Sequence, residues 1–145
     1  MNNAASKWES YKQTMVVPSS PWSAAKANDT AELTRLLDAG AELNERDTRG
    51  YSPLMLAAYS GSQEAFELLL ARGADPDSAD GAGNTVLMGA AFKGHLEMVK
   101  QLVAAGANVY TRNRAGLDAL NFASQFGRND VAAFLAQLGV ALPTH

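Results

Sequence analysis

The sequence has no cysteine, and this absence removes several kinds of chemistry. Disulfide bonds, thiolate nucleophiles and cysteine-containing metal sites are excluded, whereas the redox state of the compartment stays open. Only two histidines occur, His95 and His145. No Ser-His-Asp triad and no metal-binding group can be assembled around them, so we expect neither catalytic nor metal-ligating residues and no enzyme activity.

Long apolar segments and clustered positive charge are also missing. No stretch approaches the roughly 18 apolar residues that a membrane-spanning helix needs, and no apolar run follows Lys7 and Lys12 as in a signal peptide. The net charge of -3 argues against a surface for nucleic-acid phosphates. We therefore expect a cytoplasmic protein without membrane or nucleic-acid partners; the periplasm is the alternative if a signal peptide was removed.

Two stretches resemble cofactor motifs but fail on spacing. Asp75, Asp77 and Asp80 begin like a calcium loop. The sixth position is then Asp80 where glycine is needed, and the twelfth is Val86 where glutamate is needed. The Gly-Ala-Gly at residues 81–83 does not follow a strand, as a dinucleotide-binding turn would. The sequence thus predicts no cofactor.

What the sequence does contain is a repeat of 33 residues. Glycine recurs at this interval in three registers, and pairs of small residues and leucines keep step with it. The registers are Gly40, Gly73, Gly106 and Gly139; Gly50, Gly83 and Gly116; and Gly61, Gly94 and Gly127 with Asn28 one period earlier. Coincidence at so many positions is excluded, and the repeat must set the fold.

The glycines of two registers each follow an apolar run and predict helix ends. A helix often ends at a residue with positive φ, where glycine has no steric penalty and asparagine is the next best residue. Leu33, Leu36 and Leu37 have the i, i+3, i+4 spacing of a buried helix face. Each repeat is therefore predicted to be a short helix, a tight link, a longer helix and a polar turn.

This pattern resembles the ankyrin repeat. The resemblance is carried by Gly-Tyr-Ser-Pro-Leu-Met-Leu-Ala-Ala at residues 50–58 and by its copy at residues 83–91. The Thr-Pro-Leu-His of the family becomes Ser-Pro-Leu-Met, Thr-Val-Leu-Met and Asp-Ala-Leu-Asn, so its histidine is missing each time and we expect a lower stability. The resemblance implies an all-α solenoid of four helix-turn-helix repeats, with the first and last as caps.

The predicted organisation is a leader, residues 1–20, followed by an ankyrin-repeat domain, residues 21–145. The repeats are predicted at about 21–46, 47–79, 80–112 and 113–145. Trp8, Tyr11 and Met15 lie on one face of a possible helix, so we expect the leader to pack on the first repeat; a flexible tail is the alternative. Met55 and Met88, at the histidine position, make the chain similar to small bacterial ankyrin proteins.

The resemblance also implies a binding surface, which is concave and formed by the turn tips and the short helices. Aromatic and arginine side chains are enriched at interface hot spots. We expect Tyr59→Ala and Arg49→Glu to weaken binding while leaving stability nearly unchanged. Phe92 and Phe126 have an alternative role, filling space between short helices. The predicted binding residues are Arg46, Arg49, Tyr51, Tyr59, Asp80, Asn84, Phe92, Lys93, Arg112, Arg114 and Phe126.

The function implied is that of a protein-protein interaction module, acting as an adaptor, an inhibitor or a chaperone. We expect a monomer whose partner is another protein. The alternative is a structural or self-associating repeat protein without a separate partner. Glu67 and Lys100, on the long helices, are expected to lie on the opposite face and to be dispensable for binding.

Overall fold

A computed structural model describes residues 19–139. Within that range the chain forms eight helices, and the only β-structure is an isolated bridge between Ala79 and Thr85. The predicted all-α architecture of four helix pairs is confirmed. The predicted packing of the leader concerns residues that are almost all outside the described range. The helices are α1 Pro21–Lys26, α2 Thr30–Asp38, α3 Pro53–Ser60, α4 Gln63–Ala71, α5 Val86–Lys93, α6 Leu96–Ala104, α7 Ala119–Gln125 and α8 Asn129–Gln137.

The short helices, α1, α3, α5 and α7, all begin at a side-chain cap. Ser52 Oγ accepts the N–H of Met55 at 3.2 Å, and Thr85 Oγ1 accepts the N–H of Met88 at 3.2 Å. Such a cap satisfies a backbone donor that has no partner within the helix. The repeat thus places a capping oxygen at the start of each short helix.

The ends of the helices have the backbone conformation that the glycines predicted. Gly61 ends α3 with φ +69° and Gly94 ends α5 with φ +78°, while Gly73 and Gly106, after long helices, have φ +92° and +93°. Asn28 is the one non-glycine residue with positive φ among the described residues, at +57°. The prediction of positive φ at these positions is confirmed.

The core lies between the row of short helices and the row of long helices. The short helices stack side by side, α1 on α3, α3 on α5 and α5 on α7, through small side chains such as Ala57, Ala90 and Ala123, which are fully buried. Leu69, Leu102 and Leu135 fill the same position of successive long helices and are also fully buried. This packing makes the two rows one continuous hydrophobic core.

The end repeats are more exposed than the central repeats. Six residues are buried in α3 and six in α5, against two in α1 and two in α7. A terminal repeat has a neighbour on one side only, so fewer of its residues can be covered. The predicted capping character of the first and last repeats is confirmed.

Successive turns are also tied by polar contacts that do not use the family's histidine. The hydroxyls of Ser52 and Ser78 lie 2.9 Å apart and are buried, and the side-chain amide of Asn113 donates to that of Asn84 at 2.8 Å. The exposed Asp77 carboxylate accepts the backbone N–H of Asn108 at 2.7 Å. These hydrogen bonds fix the register of one turn on the next.

Candidate protein-binding surface

The turn tips share one geometry, because a side-chain oxygen holds each of them from within. Asp80 Oδ1 accepts the backbone N–H groups of Ala82 and Asn84, each at 2.9 Å. Asp47 and Asn113, one period before and after, do the same in their own tips. Asp80 was predicted as a binding residue, and its carboxylate is engaged in holding its own turn. The sequence analysis missed Asp47 and Asn113, which the repeat interval could have revealed.

The four predicted arginines all lie at the turn tips and are exposed. Arg49 stands over the ring of Tyr51, 4.9 Å from its centroid, and its Nη2 lies 3.5 Å from Asp47 Oδ2. Arg112 donates to the carbonyl of Gly116 at 3.0 Å, while Arg46 and Arg114 are exposed at the first and third tips. Lys93 is exposed at the end of α5, 5.8 Å from the ring of Phe92. Cations therefore lie beside two aromatic side chains of this surface, Tyr51 and Phe92.

The two tyrosines point toward the stack. Tyr51 and Tyr59 are half-buried against the core, and their rings meet edge to face at 5.9 Å. Burial, with smaller effects of Asp80 and Tyr51, raises the pKa of Tyr59 to about 12. Tyr59 can point inward because the next short helix has a glycine at position 89. A Cβ at Gly89 would come within 2.9 Å of the Tyr59 Cζ atom. Glycine leaves the space that the Tyr59 ring occupies.

Three phenylalanines form a second aromatic group on the neighbouring short helices. Phe92 meets Phe126 edge to face at 4.6 Å, and Phe122 lies 6.5 Å from Phe92 and 6.4 Å from Phe126. Phe126 remains 48% exposed, whereas Phe92 and Phe122 are half-buried. Phe92 and Phe126 thus contact each other across neighbouring short helices and also present aromatic surface.

A pocket separates the tyrosine pair from the phenylalanine group. Its volume is about 270 Å³, and its lining is mostly apolar. It brings together three of the predicted residues and three that sequence analysis missed. The lining consists of Tyr59, Asn84, Met88, Gly89, Phe92 and Phe122. Leu56, Gly89 and Phe122 occupy one register of the repeat, so a glycine between two large apolar residues was the available signal.

Other kinds of site find no support in the described part of the chain. Residues 19–139 contain no group of three or more His, Asp or Glu side chains able to hold a metal ion. None of the helices in the same range has the length and apolar character needed to cross a membrane.

Comparison with known families gives one result that covers nearly the whole chain. The family model described as "Ankyrin repeats (3 copies)" matches residues 20–80 and, in a second match, residues 73–143. No curated protein matches the sequence. The matched ranges contain the four helix pairs and the aromatic and cationic surface described above.

Proposed function

The chain belongs to the ankyrin-repeat family, and we propose that it binds a partner protein through the concave surface formed by its short helices and turn tips. Ankyrin repeats are generally protein-protein interaction modules, and the family is typically non-enzymatic. The proposal assigns the binding to one face of this particular chain. The roles that fit are those of an adaptor, an inhibitor or a chaperone, and we propose that the protein acts in the cytoplasm.

The observation that carries the proposal is the row of partly exposed aromatic side chains beside exposed cations. Tyr51, Tyr59, Phe92, Phe122 and Phe126 follow one another across the short helices, with centroid distances of 4.6 to 6.5 Å within each group. Large exposed apolar surface is costly in water and marks interaction sites when it is contiguous and has a polar rim. Aromatic residues with arginines nearby are the usual composition of interface hot spots.

The long-helix face has a different character and provides the matched control. Glu67 accepts hydrogen bonds from the side-chain amides of Gln63 and Gln101, at 2.9 and 2.8 Å, and these bonds lower the Glu67 pKa. Gln63 also donates to Gln101 at 2.8 Å. These three side chains satisfy one another, so a partner gains little by covering them.

A photo-crosslinking pair tests the proposal. A benzophenone amino acid replaces Phe126 in one variant and Glu67 in the other, and each is irradiated in a lysate of the source organism. We expect one protein to be crosslinked from position 126 and not from position 67, with adducts identified by mass spectrometry. Adducts from position 67 alone, or equally from both positions, would contradict the assignment of the concave surface.

The oligomeric state separates this proposal from self-association. We propose that the protein works as a monomer, because the row of aromatic side chains is interrupted by cations that would face like charges in a symmetric pair. Sedimentation velocity over a range of concentrations is expected to give the monomer mass throughout. A concentration-dependent dimer would favour the self-associating alternative.

A further inference from the structure

The pocket on the concave surface exists because of one residue, Gly89 in α5. Glycine in a helix interior destabilises the helix by roughly 1 kcal/mol relative to alanine, so its presence calls for a packing reason. The backbone at Gly89 is helical and does not need glycine for its φ. Leu56 and Phe122 fill the equivalent position in the flanking repeats, and Gly89 leaves that volume open. Tyr59 takes part of the space and the pocket is the remainder.

The size of the pocket suits one side chain. Pockets for whole small molecules usually measure about 300–1,000 Å³, and this one is about 270 Å³. An apolar cavity of about 150 Å³ is enough to admit a benzene ring, so a single aromatic side chain fits here. The ring edges of Phe92, Phe122 and Tyr59 line the walls, and aromatic pairs gain from edge-to-face contact.

The Asn84 side chain in the lining already has polar partners. Its oxygen lies 2.8 Å from the Asn113 amide nitrogen, and its own amide nitrogen lies 3.4 Å from Asp80 Oδ2. An apolar guest therefore leaves Asn84 with its hydrogen bonds. The occupant favoured by the lining is a ring without strong hydrogen-bonding groups.

The charges around the pocket select the rest of the partner. The turn tips and short helices, residues 19–28, 45–61, 78–94 and 111–127, carry six Lys or Arg and four Asp or Glu, a net charge of +2. The long helices and the loops after them, residues 29–44, 62–77, 95–110 and 128–139, carry four Lys or Arg and ten Asp or Glu, a net charge of -6. The pocket thus opens on the positive side of an acidic protein, which attracts acidic segments and repels basic ones.

Three of the four carboxylates on the positive side are also turned toward their own backbone. Asp47 and Asp80 accept N–H groups within their tips, and Asp118 accepts the N–H of Asn121 at 2.9 Å as the cap of α7. The cations Arg46, Lys93 and Arg114 are exposed. An approaching segment therefore meets the cations before the carboxylates.

We propose that the Gly89 pocket receives a single aromatic side chain from an acidic segment of the partner. This inference rests on the partner-binding function proposed above and specifies the chemistry of the partner. The aromatic ring supplies the buried area, and the flanking carboxylates pair with the exposed cations of the tips and of α5.

Methionine-methyl NMR of the full-length protein tests the inference directly. The sequence has five methionines, of which Met88 lines the pocket, whereas Met98 is buried in α6, away from it. The probes are short acetylated peptides of aspartate and glutamate with one central phenylalanine, the same peptides with alanine at the centre, and lysine peptides with the phenylalanine. The phenylalanine acidic peptide is expected to shift the Met88 methyl signal saturably and to leave that of Met98 in place.

The two comparison peptides separate the two halves of the inference. Replacing phenylalanine with alanine, or the acidic residues with lysines, is expected to weaken binding about tenfold or more. An alanine peptide that binds as tightly as the phenylalanine peptide would overturn the pocket as the recognition element. A lysine peptide that binds as tightly would overturn the choice of an acidic partner, and no saturable Met88 shift with any peptide would overturn both.

A pair of variants provides the matched comparison. Gly89→Ala places a Cβ against the Tyr59 ring, which must then move into the pocket, whereas Glu67→Ala alters an exposed side chain on the long-helix face. We expect Gly89→Ala to reduce the affinity for the phenylalanine acidic peptide about tenfold or more, and Glu67→Ala to leave it unchanged. The Met55 and Met98 signals show whether each variant is folded. The comparison of the three peptides uses the unaltered protein, so it tests the inference even if a variant does not fold.

Occupation of the pocket by the chain itself is another outcome of the same test. If no segment of the chain fills the pocket, deleting residues 1–18 leaves the Met88 signal of the free protein unchanged. If no second copy fills the pocket, diluting the protein also leaves the Met88 signal unchanged. A Met88 shift on either change would overturn the inference. If the crosslinked partner binds Gly89→Ala as tightly as the unaltered protein but loses Arg49→Glu, the proposed function stands and the pocket inference fails.

Discussion

Gly61 and Gly94 impose a backbone requirement at the scale of single residues, because each ends a short helix with positive φ. A Cβ at Gly94 would also come within 2.8 Å of the Arg128 side chain. We expect Gly61→Val and Gly94→Val each to lower the free energy of unfolding by about 1 kcal/mol or more, since a β-branched residue is strained at positive φ. Urea denaturation measures the loss. Gly81→Val, at a glycine without positive φ, is the control, and unchanged midpoints in both test variants would refute this role.

Tyr59 contributes to stability as well as to the proposed binding surface. Its ring packs against Tyr51 and over Gly89, so Tyr59→Ala is expected to cost about 1–2 kcal/mol, less than the 3–5 kcal/mol of a fully buried ring. This replaces the expectation that the change leaves stability nearly unaltered. Arg49→Glu, at an exposed tip, is expected to have little effect on the urea midpoint. Equal midpoints for Tyr59→Ala and the unaltered protein would show that the ring adds nothing to the fold.

His95 gives the protein a specific response to mild acid. It lies against Gly61 of the preceding repeat, and burial, followed by the charges of Lys93 and Arg128, lowers its pKa from the usual 6.5. The folded state therefore holds this proton less tightly than the unfolded chain. The contribution of His95 to the free energy of unfolding is present above the pKa that His95 has in the unfolded chain. It is lost as the pH falls through the pKa that His95 has in the folded protein.

We expect the unfolding free energy to decrease between about pH 7 and pH 5, and His95→Gln to remove part of that decrease. The pKa values of Glu32, Asp47 and Glu67 are lowered, so these carboxylates titrate below that window. Urea titrations of both proteins at several pH values make the comparison. A His95→Gln variant with the same pH slope as the unaltered protein would contradict this role of His95.

At the scale of elements, the start of α3 combines two functions. Ser52 Oγ caps α3 and also meets the hydroxyl of Ser78 at the start of the next turn. Ser52→Ala removes both contacts inside the core and is expected to lower the unfolding free energy by about 1–2 kcal/mol. Ser124→Ala, at an exposed position of α7, is the control and is expected to change little. Thermal or urea midpoints that are the same for both variants would exclude the double role.

The elements were largely predictable from the sequence because their signals are local. A glycine such as Gly61 and a helix-capping residue such as Thr85 act within a few residues of the chain, so a 33-residue repeat of these types identifies the helix pairs. The pocket was not predicted, because Tyr59, Gly89 and Phe122 come from three successive repeats and only their packing joins them. The inward orientation of Tyr59 was not predicted for the same reason. It depends on the absence of a side chain at Gly89 in the neighbouring helix.

At the scale of the whole molecule, the solenoid separates two kinds of surface. The short helices and tips carry the aromatic group of Tyr51, Tyr59, Phe92, Phe122 and Phe126 and a net charge of +2. The long helices and the loops beside them carry ten of the fourteen carboxylates of residues 19–139, eight of them within residues 29–44 and 62–77. Partner binding is expected to use the first surface and not the second.

An affinity series with the crosslinked partner tests that claim most directly. Arg49→Glu and Phe126→Ala alter the concave surface, and Glu67→Ala and Lys100→Ala alter the opposite face; all four side chains are exposed. Isothermal titration calorimetry is expected to show about tenfold or greater weakening for the first pair and unchanged affinity for the second. If the second pair loses binding while Arg49→Glu and Phe126→Ala retain it, the partner lies on the long helices and the account is wrong.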